Sequence, residues 1–406
     1  MILGDRLNGD RLLVNEMRAT YVVRSFLDYR VPVLEALRRE LGCGFRVLFS
    51  ADYVPERVAS KVRAVVGEQA IGMSGEKRIG PNSTQGFANR AFRFVYQPGI
   101  MRAIEQSQPD VVIGDGFYQW TSFALAHRLR HRTPLVVCYE RTFHTERNAQ
   151  RVRTLYRRWV MRLVDAMAVN GSLSREYSEW LGMSPERITT GQMVADTDNL
   201  ARLISQVSHG QRCALRQRWG VPGLVFVAVG QLIPRKGLAE LLHGWKRLED
   251  GGFGDCVLVL VGAGSSETAL REHARALGLR RVVFEGHVDY DAIAPYYASA
   301  DVFVMPTLED NWSLVVPEAM ACGLPVLCSK YNGCFPELIE PDGNGWVFDP
   351  LDCEDTFHAL KRCAENRERL AAMGARSREI VADHTPAHAA EAILRACELA
   401  IAHRRT

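Results

Sequence analysis

Short runs of β-branched and other apolar residues alternate with stretches of helical spacing along almost the whole chain. In the first half the runs read TYVV (20–23), RVLFS (46–50), VVIG (111–114), LVVCY (135–139) and AMAV (166–169). In the second half they read LVFVAV (224–229), CVLVLV (256–261), VVF (282–284), VFVM (302–305) and PVLCS (325–329). Such runs are apolar at consecutive positions, so both faces must be covered, as in a parallel sheet flanked by helices. Between them, Val33, Leu34, Leu37 and Leu41 follow one face of a helix after Tyr29 and Arg30. The grammar predicts an α/β protein of two doubly wound, Rossmann-like domains that face each other across a cleft.

The expected seam lies near 191–223, where GQMVADTDNL passes into polar helical sequence ending at Gly220, Pro222 and Gly223. The domains are placed at 1–200 and 201–384. Thr385 as cap and Pro386 at the first helical position predict a final helix over 385–406, expected to pack back toward the first domain. A length of 406 residues supports two cores. The apolar share of 47% and charged share of 24% are ordinary for a globular chain.

A formal net charge of +3 gives no ground for nucleic-acid binding. No apolar run is long enough to span a bilayer, and Asp5, Asp10 and Glu16 stand where a signal peptide would be apolar, so a cytoplasmic protein is expected. Residues 1–16 read as an extension ahead of the first strand. The ten cysteines form no CxxC pair and fall mostly in apolar runs, which predicts buried reduced thiols.

Two stretches carry chemistry. In the first, strand VFVM leads through PTLEDNWS to helical LVVPEAMA, so a helix beginning near Ser313 should present unpaired N–H groups to an anion. Asp310 precedes that helix and Glu318 lies in its first turns; carboxylates only accept hydrogen bonds, and such a pair suits the hydroxyls of a sugar or ribose. Plain alternatives are that Glu318 caps backbone and Asp310 favours the helix dipole. The second stretch, LVFVAVGQLIPRKGLAELL, runs strand, loop, helix and places Arg235 and Lys236 in the loop. Adjacent cations there neutralise a diphosphate and stabilise its departure, although a lone basic pair is usually a solvated turn.

Four pieces in order, GQLIPRKG (230–237), VLVGAG (259–264), VVFEGHVDYDAIAPYYASADVFVMPT (282–307) and EDNWSLVVPEAMACGLPVL (309–327), resemble the retaining GT-B glycosyltransferases of family 4. The resemblance is strong over roughly 220–350 and extends in outline to YVVRSFLDYRVPVLEAL and QPDVVIGDG in the first half. It implies a nucleotide diphosphate sugar as donor, no metal and no further cofactor. It implies that Glu318 binds the ribose and that Asp310, where the family usually has Glu, contacts the donor sugar. Arg235 and Lys236 become the phosphate cations, with Gln231 in place of the arginine that commonly opens that loop. Gly230, Gln231, Gly286, His287, Val288, Asn311, Trp312, Ser313 and Leu314 become donor contacts, and YNGCFPELI (331–339) matches the loop after the acidic helix. The first domain would then bind the acceptor through the 24–30 loop and the region from Phe117 to Trp120. Where family members often place a sugar-contacting His after the LVVCY strand, this chain has Glu140 and Arg141, with His144 four residues beyond Glu140; Glu140 and His144 both stay open as the sugar or acceptor contact.

On this resemblance the expected activity is transfer of a hexosyl or N-acetylhexosaminyl group to a saccharide or lipid-linked acceptor, as in synthesis of cell-surface polysaccharide or glycolipid. The alternatives are a nucleotide-sugar epimerase and a binding protein without turnover. VLVLVGAGSSE imitates a dinucleotide fingerprint, but its third glycine position is Glu267. Asp196-Thr197-Asp198 imitates a metal-binding DxD and reads as a turn near the linker.

Ten arginines lie between Arg128 and Arg162, against only Glu140 and Glu146. On a helical wheel Arg147, Arg151, Arg158 and Arg162 share one arc, beside Val152, Leu155, Tyr156, Trp159 and Leu163. The plain expectation for 147–163 is a packed helix with a solvated arginine face. The alternative is peripheral contact with an anionic membrane at its inner face.

Overall fold

The computed structural model describes residues 17–79 and 94–405; the 1–16 extension lies outside the described residues. By their contacts these residues form two units, 17–194 with 386–405 and 195–385.

In the first unit the strands are β1 (Ala19–Val22), β2 (Phe45–Ser50), β3 (Ala70–Met73), β4 (Lys77–Ile79), β5 (Phe94–Tyr96), β6 (Val111–Asp115), β7 (Leu135–Tyr139), β8 (Ala166–Val169) and β9 (Ile188–Thr190). Seven of them form a parallel sheet in the order β3-β2-β1-β6-β7-β8-β9, while β4 and β5 pair separately and antiparallel. In register, Tyr21 of β1 lies between Val47 of β2 and Ile113 of β6. The helix Val31–Leu41 buries Val33, Leu34, Leu37 and Leu41, the spacing read from the sequence. The helix Pro386–Arg405 completes the same core, with Ala389, Ile393, Cys397 and Ala400 packed among Tyr21, Leu34 and Phe45.

The second unit contains β10 (Val225–Val229), β11 (Val257–Val261), β12 (Val282–Gly286), β13 (Val302–Met305), β14 (Val326–Ser329) and β15 (Gly345–Phe348). All are parallel, in the order β12-β11-β10-β13-β14-β15. Phe226, Trp245, Leu258, Val304 and Leu327 are among the fully buried side chains of its core.

In each unit the chain first adds strands to one side of its opening strand and then crosses to the other. The crossing points, between β1 and β6 and between β10 and β13, are where the loops leaving adjacent strand ends diverge and a crevice opens.

Several expectations need correction. The strands β3, β9 and β15 carry no long apolar run, because they lie at or beside sheet edges or carry glycine; at Gly345 a Cβ would stand 1.9 Å from the Val326 carbonyl oxygen. Asp196 and Asp198 do not form a turn: the helix Thr197–Ser205 begins between them. Seven cysteines are buried, but Cys43 and Cys213 are exposed and Cys353 is intermediate; each sits on an element end or an outward helix face. The basic helix runs from Arg151 to Met161, so Arg147 precedes it; Tyr156 and Leu163 of its apolar arc pack against the core with Val160 and Met161, while Val152, Leu155 and Trp159 are exposed and Arg157 is buried.

Within the first unit Asp165 is a buried junction. Its carboxylate accepts from the Leu135 N–H at 2.9 Å and from Arg128 at 3.1 Å, and pairs with Arg404 of the last helix at 3.0 Å. Removing it strands a buried guanidinium and a buried N–H. Asp165→Ala is expected to cost this unit about 3–5 kcal/mol, measured as a lowered midpoint in denaturant; an unchanged midpoint contradicts the assignment.

Candidate active site at the switch point of the second unit

The loop after β10 begins at Gly230, whose φ is +143°, and turns through the 3-10 segment Pro234–Lys236 into the helix Leu238–Asp250. Gly237 joins the two with φ +66°, and a Cβ there would lie 1.9 Å from the Pro306 carbonyl oxygen. Only glycine permits this approach. It presses the β10 loop against the loop that leaves β13, and three bonds sew them together. The Leu308 N–H and the Thr307 hydroxyl donate to the Arg235 carbonyl at 2.8 and 3.0 Å, and the Arg235 guanidinium donates to the Glu309 carbonyl at 3.2 Å.

The clamp brings charge together. Lys236 Nζ lies 2.5 Å from Asp310 Oδ2, and Arg235 Nη1 lies 3.9 Å from the same oxygen. Burial by itself raises the Asp310 pKa, yet Lys236, the Ser313 hydroxyl and Arg235 outweigh it and hold the carboxyl below its usual range. Asp310 is therefore an ionised group in a desolvated place. A shallow solvent-open depression lies beside Lys236, lined by Val229, Gly230, Gln231, Lys236, Met305 and Pro306.

The acidic loop is held from behind by the segment after β14. Asp310 bridges Asn332, the Gly333 N–H donates to the Asp310 carbonyl at 3.0 Å, and a Cβ on Gly333 would meet the Asn311 carbonyl oxygen at 1.9 Å. The helix that follows is Val315–Ala321, two residues later than expected. The N–H groups just before it do not all await an anion. Trp312 N donates to Asp310 Oδ1 at 3.2 Å and Ser313 N to Asn332 Oδ1 at 3.3 Å. The Asn311, Trp312 and Ser313 side chains are buried, and Leu314 is partly so.

Glu318 stands apart from the cations. It is 7% exposed, and the Tyr297 hydroxyl donates to its Oε2 at 2.9 Å. Burial pushes the Glu318 carboxyl up to about 7, the tyrosine hydrogen bond offsetting part of the effect. Tyr297 is the partner that sequence reasoning missed. The signal was present in APYYASAD, because a fully buried tyrosine needs an acceptor for its hydroxyl. Asn332 was missed too, although YNGC was recognised as the following loop.

Gly286, His287 and Val288 lie at the end of β12. Gly286 has φ +81° and accepts from Gly262 N at 2.7 Å, while His287 is exposed beside Asp289. Glu140 and His144 belong to the first unit, after β7. Glu140 accepts from Ser174 through its carbonyl and lies 3.9 Å from Arg141, and His144 is partly buried. Among the described residues no group of three His, Cys, Asp or Glu side chains is placed to hold a metal ion.

Paired doubly wound units, with cations and a carboxylate converging at the second unit's switch point, define the GT-B architecture. Comparison with known proteins agrees at both levels. The family model for glycosyl transferases group 1 matches residues 196–380, and that for the glycosyl transferase 4-like domain matches 31–190. Over 182 residues the chain is 32% identical to a GDP-mannose-dependent alpha-(1-6)-phosphatidylinositol monomannoside mannosyltransferase of Mycobacterium tuberculosis, covering 42% of this chain and 46% of that protein. It is 29% identical over 180 residues to mannosylfructose-phosphate synthase of Agrobacterium fabrum, covering 42% and 39%. The matches thus span less than half the length of these relatives. Among solved structures, Anabaena HepE in complex with UDP superposes with a TM-score of 0.71 at 18% identity, covering 93% of this chain and 98% of that one. Sucrose-phosphate synthase from Thermosynechococcus elongatus superposes at 0.65 and 16% identity, covering 93% and 97%. The chain belongs to the family 4 glycosyltransferases of the GT-B fold.

The raised Glu318 carboxyl has a consequence for stability. Between about pH 4.5 and 7 the folded chain keeps a proton that the unfolded chain releases, so stability is full below this window and falls as pH rises through it. The loss is at most about 3 kcal/mol. Glu318→Gln should flatten this decline in denaturant titrations taken across the window; an equally steep decline in the variant contradicts it.

Proposed function

We propose that the protein is a retaining glycosyltransferase that moves a hexosyl or N-acetylhexosaminyl group from a nucleotide diphosphate sugar to a saccharide or lipid-linked acceptor. The proposed setting is the inner face of a membrane, in synthesis of cell-surface polysaccharide or glycolipid. The observation that carries this reading is the Lys236–Asp310 pair, 2.5 Å apart, with Arg235 beside it and Lys236 lining an open hollow.

In this reading the donor's diphosphate occupies the hollow. Lys236 and Arg235 neutralise its charge, and their stabilisation grows as the sugar bond breaks and negative charge gathers on the leaving phosphate. Asp310 stays ionised beside these cations and accepts a hydrogen bond from a sugar hydroxyl, which orients the ring. Glu318 takes the ribose hydroxyls; a donor hydrogen bond favours its ionised form, so bound donor draws its pKa below the ligand-free value. Gly230 and Gln231 line the phosphate path. Gly286, His287 and Val288 meet the base, and the turn from Asn311 to Leu314 contributes backbone. The acceptor lies with the first unit's switch-point loops, 24–30 and 117–120, and with Glu140 or His144. Relatives give the donor class its support: one is named for GDP-mannose, and structural neighbours were solved with UDP or UDP-glucose. No metal or further cofactor is assigned a step.

The test is incubation with UDP-, GDP- and ADP-sugars, with and without saccharide acceptors, and assignment of the product anomer by NMR. Transfer that requires acceptor and keeps the anomeric configuration supports the reading. Interconversion of donor alone assigns an epimerase, and donor binding without any product assigns a binding protein. Lys236→Ala is expected to lower turnover about 100-fold, as for loss of one transition-state charge contact; near-normal turnover removes Lys236 from the leaving-group role.

A further inference from the structure

The helix Arg151–Met161 packs Val160 and Met161 into the core of the first unit and leaves a second apolar stripe outside. Arg157 is buried, donating to Glu146 at 2.7 Å and to the Tyr177 hydroxyl at 3.2 Å. Val152, Leu155 and Trp159 lie on the outer side, at 61%, 66% and 52% exposure. These three positions, spaced three and four apart, form one stripe. A neighbouring aromatic group extends it: Phe143 and Trp180, 42% and 45% exposed, pack edge to face 5.4 Å apart. Arg158 stacks on Trp180 at 4.4 Å and donates to its carbonyl at 3.0 Å, so a cation is fixed at the junction. Arg151 and Arg162 are exposed on the same helix side as Arg158, at intervals of seven and four residues. Glu176, on the helix Ser172–Leu181, is an exposed acid one turn from Trp180.

We propose that this face of the first unit is a membrane-docking surface that lies on an anionic phospholipid bilayer. Leu155, Trp159 and Phe143 enter the headgroup boundary while Arg151, Arg158 and Arg162 pair with lipid phosphates. The inference rests on the membrane setting proposed above, and it names the residues and the lipid chemistry.

Two arguments favour a bilayer. An apolar stripe with tryptophan beside a row of arginines is the composition that binds an anionic interface, where indole rings sit at headgroup depth and cations meet lipid phosphate. Each such cation strengthens partitioning by about fivefold. A second copy fits poorly, because a twofold contact through this face sets one arginine row against the other. Among the described residues no helix is long and apolar enough to cross a membrane, so the docking is peripheral.

The experiment is flotation of the full chain with vesicles of phosphatidylglycerol and phosphatidylcholine, against vesicles of phosphatidylcholine alone, without donor or acceptor. Expected results are partition onto the anionic vesicles that weakens with salt, and at least tenfold loss both in Leu155→Ser/Trp159→Ser and in Arg151→Gln/Arg158→Gln/Arg162→Gln. Brominated lipid should quench the wild-type tryptophan emission and quench Trp159→Phe less, a readout that needs no destabilising change. No partition, equal partition of all forms, or equal binding to neutral vesicles overturns the proposal. A dimer in sedimentation that dissolves in Leu155→Ser/Trp159→Ser assigns the face to a second copy and overturns it too. Vesicle binding with no sugar transfer defeats the transferase reading and leaves this surface standing; transfer without vesicle binding does the reverse.

Discussion

Everything at the second unit's switch point depends on one steric contact, that of the Gly237 backbone with the Pro306 carbonyl. Loops leaving neighbouring parallel strands normally diverge, because each must reach a helix on its own side of the sheet. Here a residue without a side chain lets them touch, and the carbonyl groups of Arg235 and Glu309 are bonded across the seam. The consequence is electrostatic: a carboxylate on one loop falls within ion-pair distance of two cations on the other, in a place where water is scarce and the interaction is strong.

That contact separates the fates of two carboxyls eight residues apart. Asp310 has cations beside it, so its desolvation is offset and it remains charged. Glu318, on the helix Val315–Ala321, has only a tyrosine hydroxyl, and burial decides its titration. One acid is held ionised and the other is raised toward neutrality, a difference made by environment and not by residue type. The first unit shows the contrasting arrangement, in which Asp165 is surrounded by two arginines and an N–H and serves only to join strands to the last helix.

The double α/β architecture was legible because ten strands, nine of them largely buried, are mostly apolar runs, and the pair of cations because PRKG lies wholly within one loop. What stayed hidden depends on contacts between distant segments. Nothing local in VVPEAMA announces that Glu318 faces Tyr297, or that Asn332 takes the N–H of Ser313 and so uses part of the helix start expected to hold an anion. The short strands β3, β9 and β15 were illegible for a related reason: near an edge, half-exposed residues and glycine suffice, and pairing with a neighbour does the rest.

The helix Arg151–Met161 shows the limit of periodicity as a guide to inside and outside. Its apolar arc was read correctly, but an arc defines only a direction on the helix, and tertiary partners choose which direction is inward. Here Val160 and Met161 turn inward together with Arg157, whose guanidinium is matched by Glu146 and Tyr177 in a buried network. Taking a charged pair out of water while leaving leucine and tryptophan in it costs free energy on both counts. The outward face is left carrying rings, aliphatic side chains and arginines together.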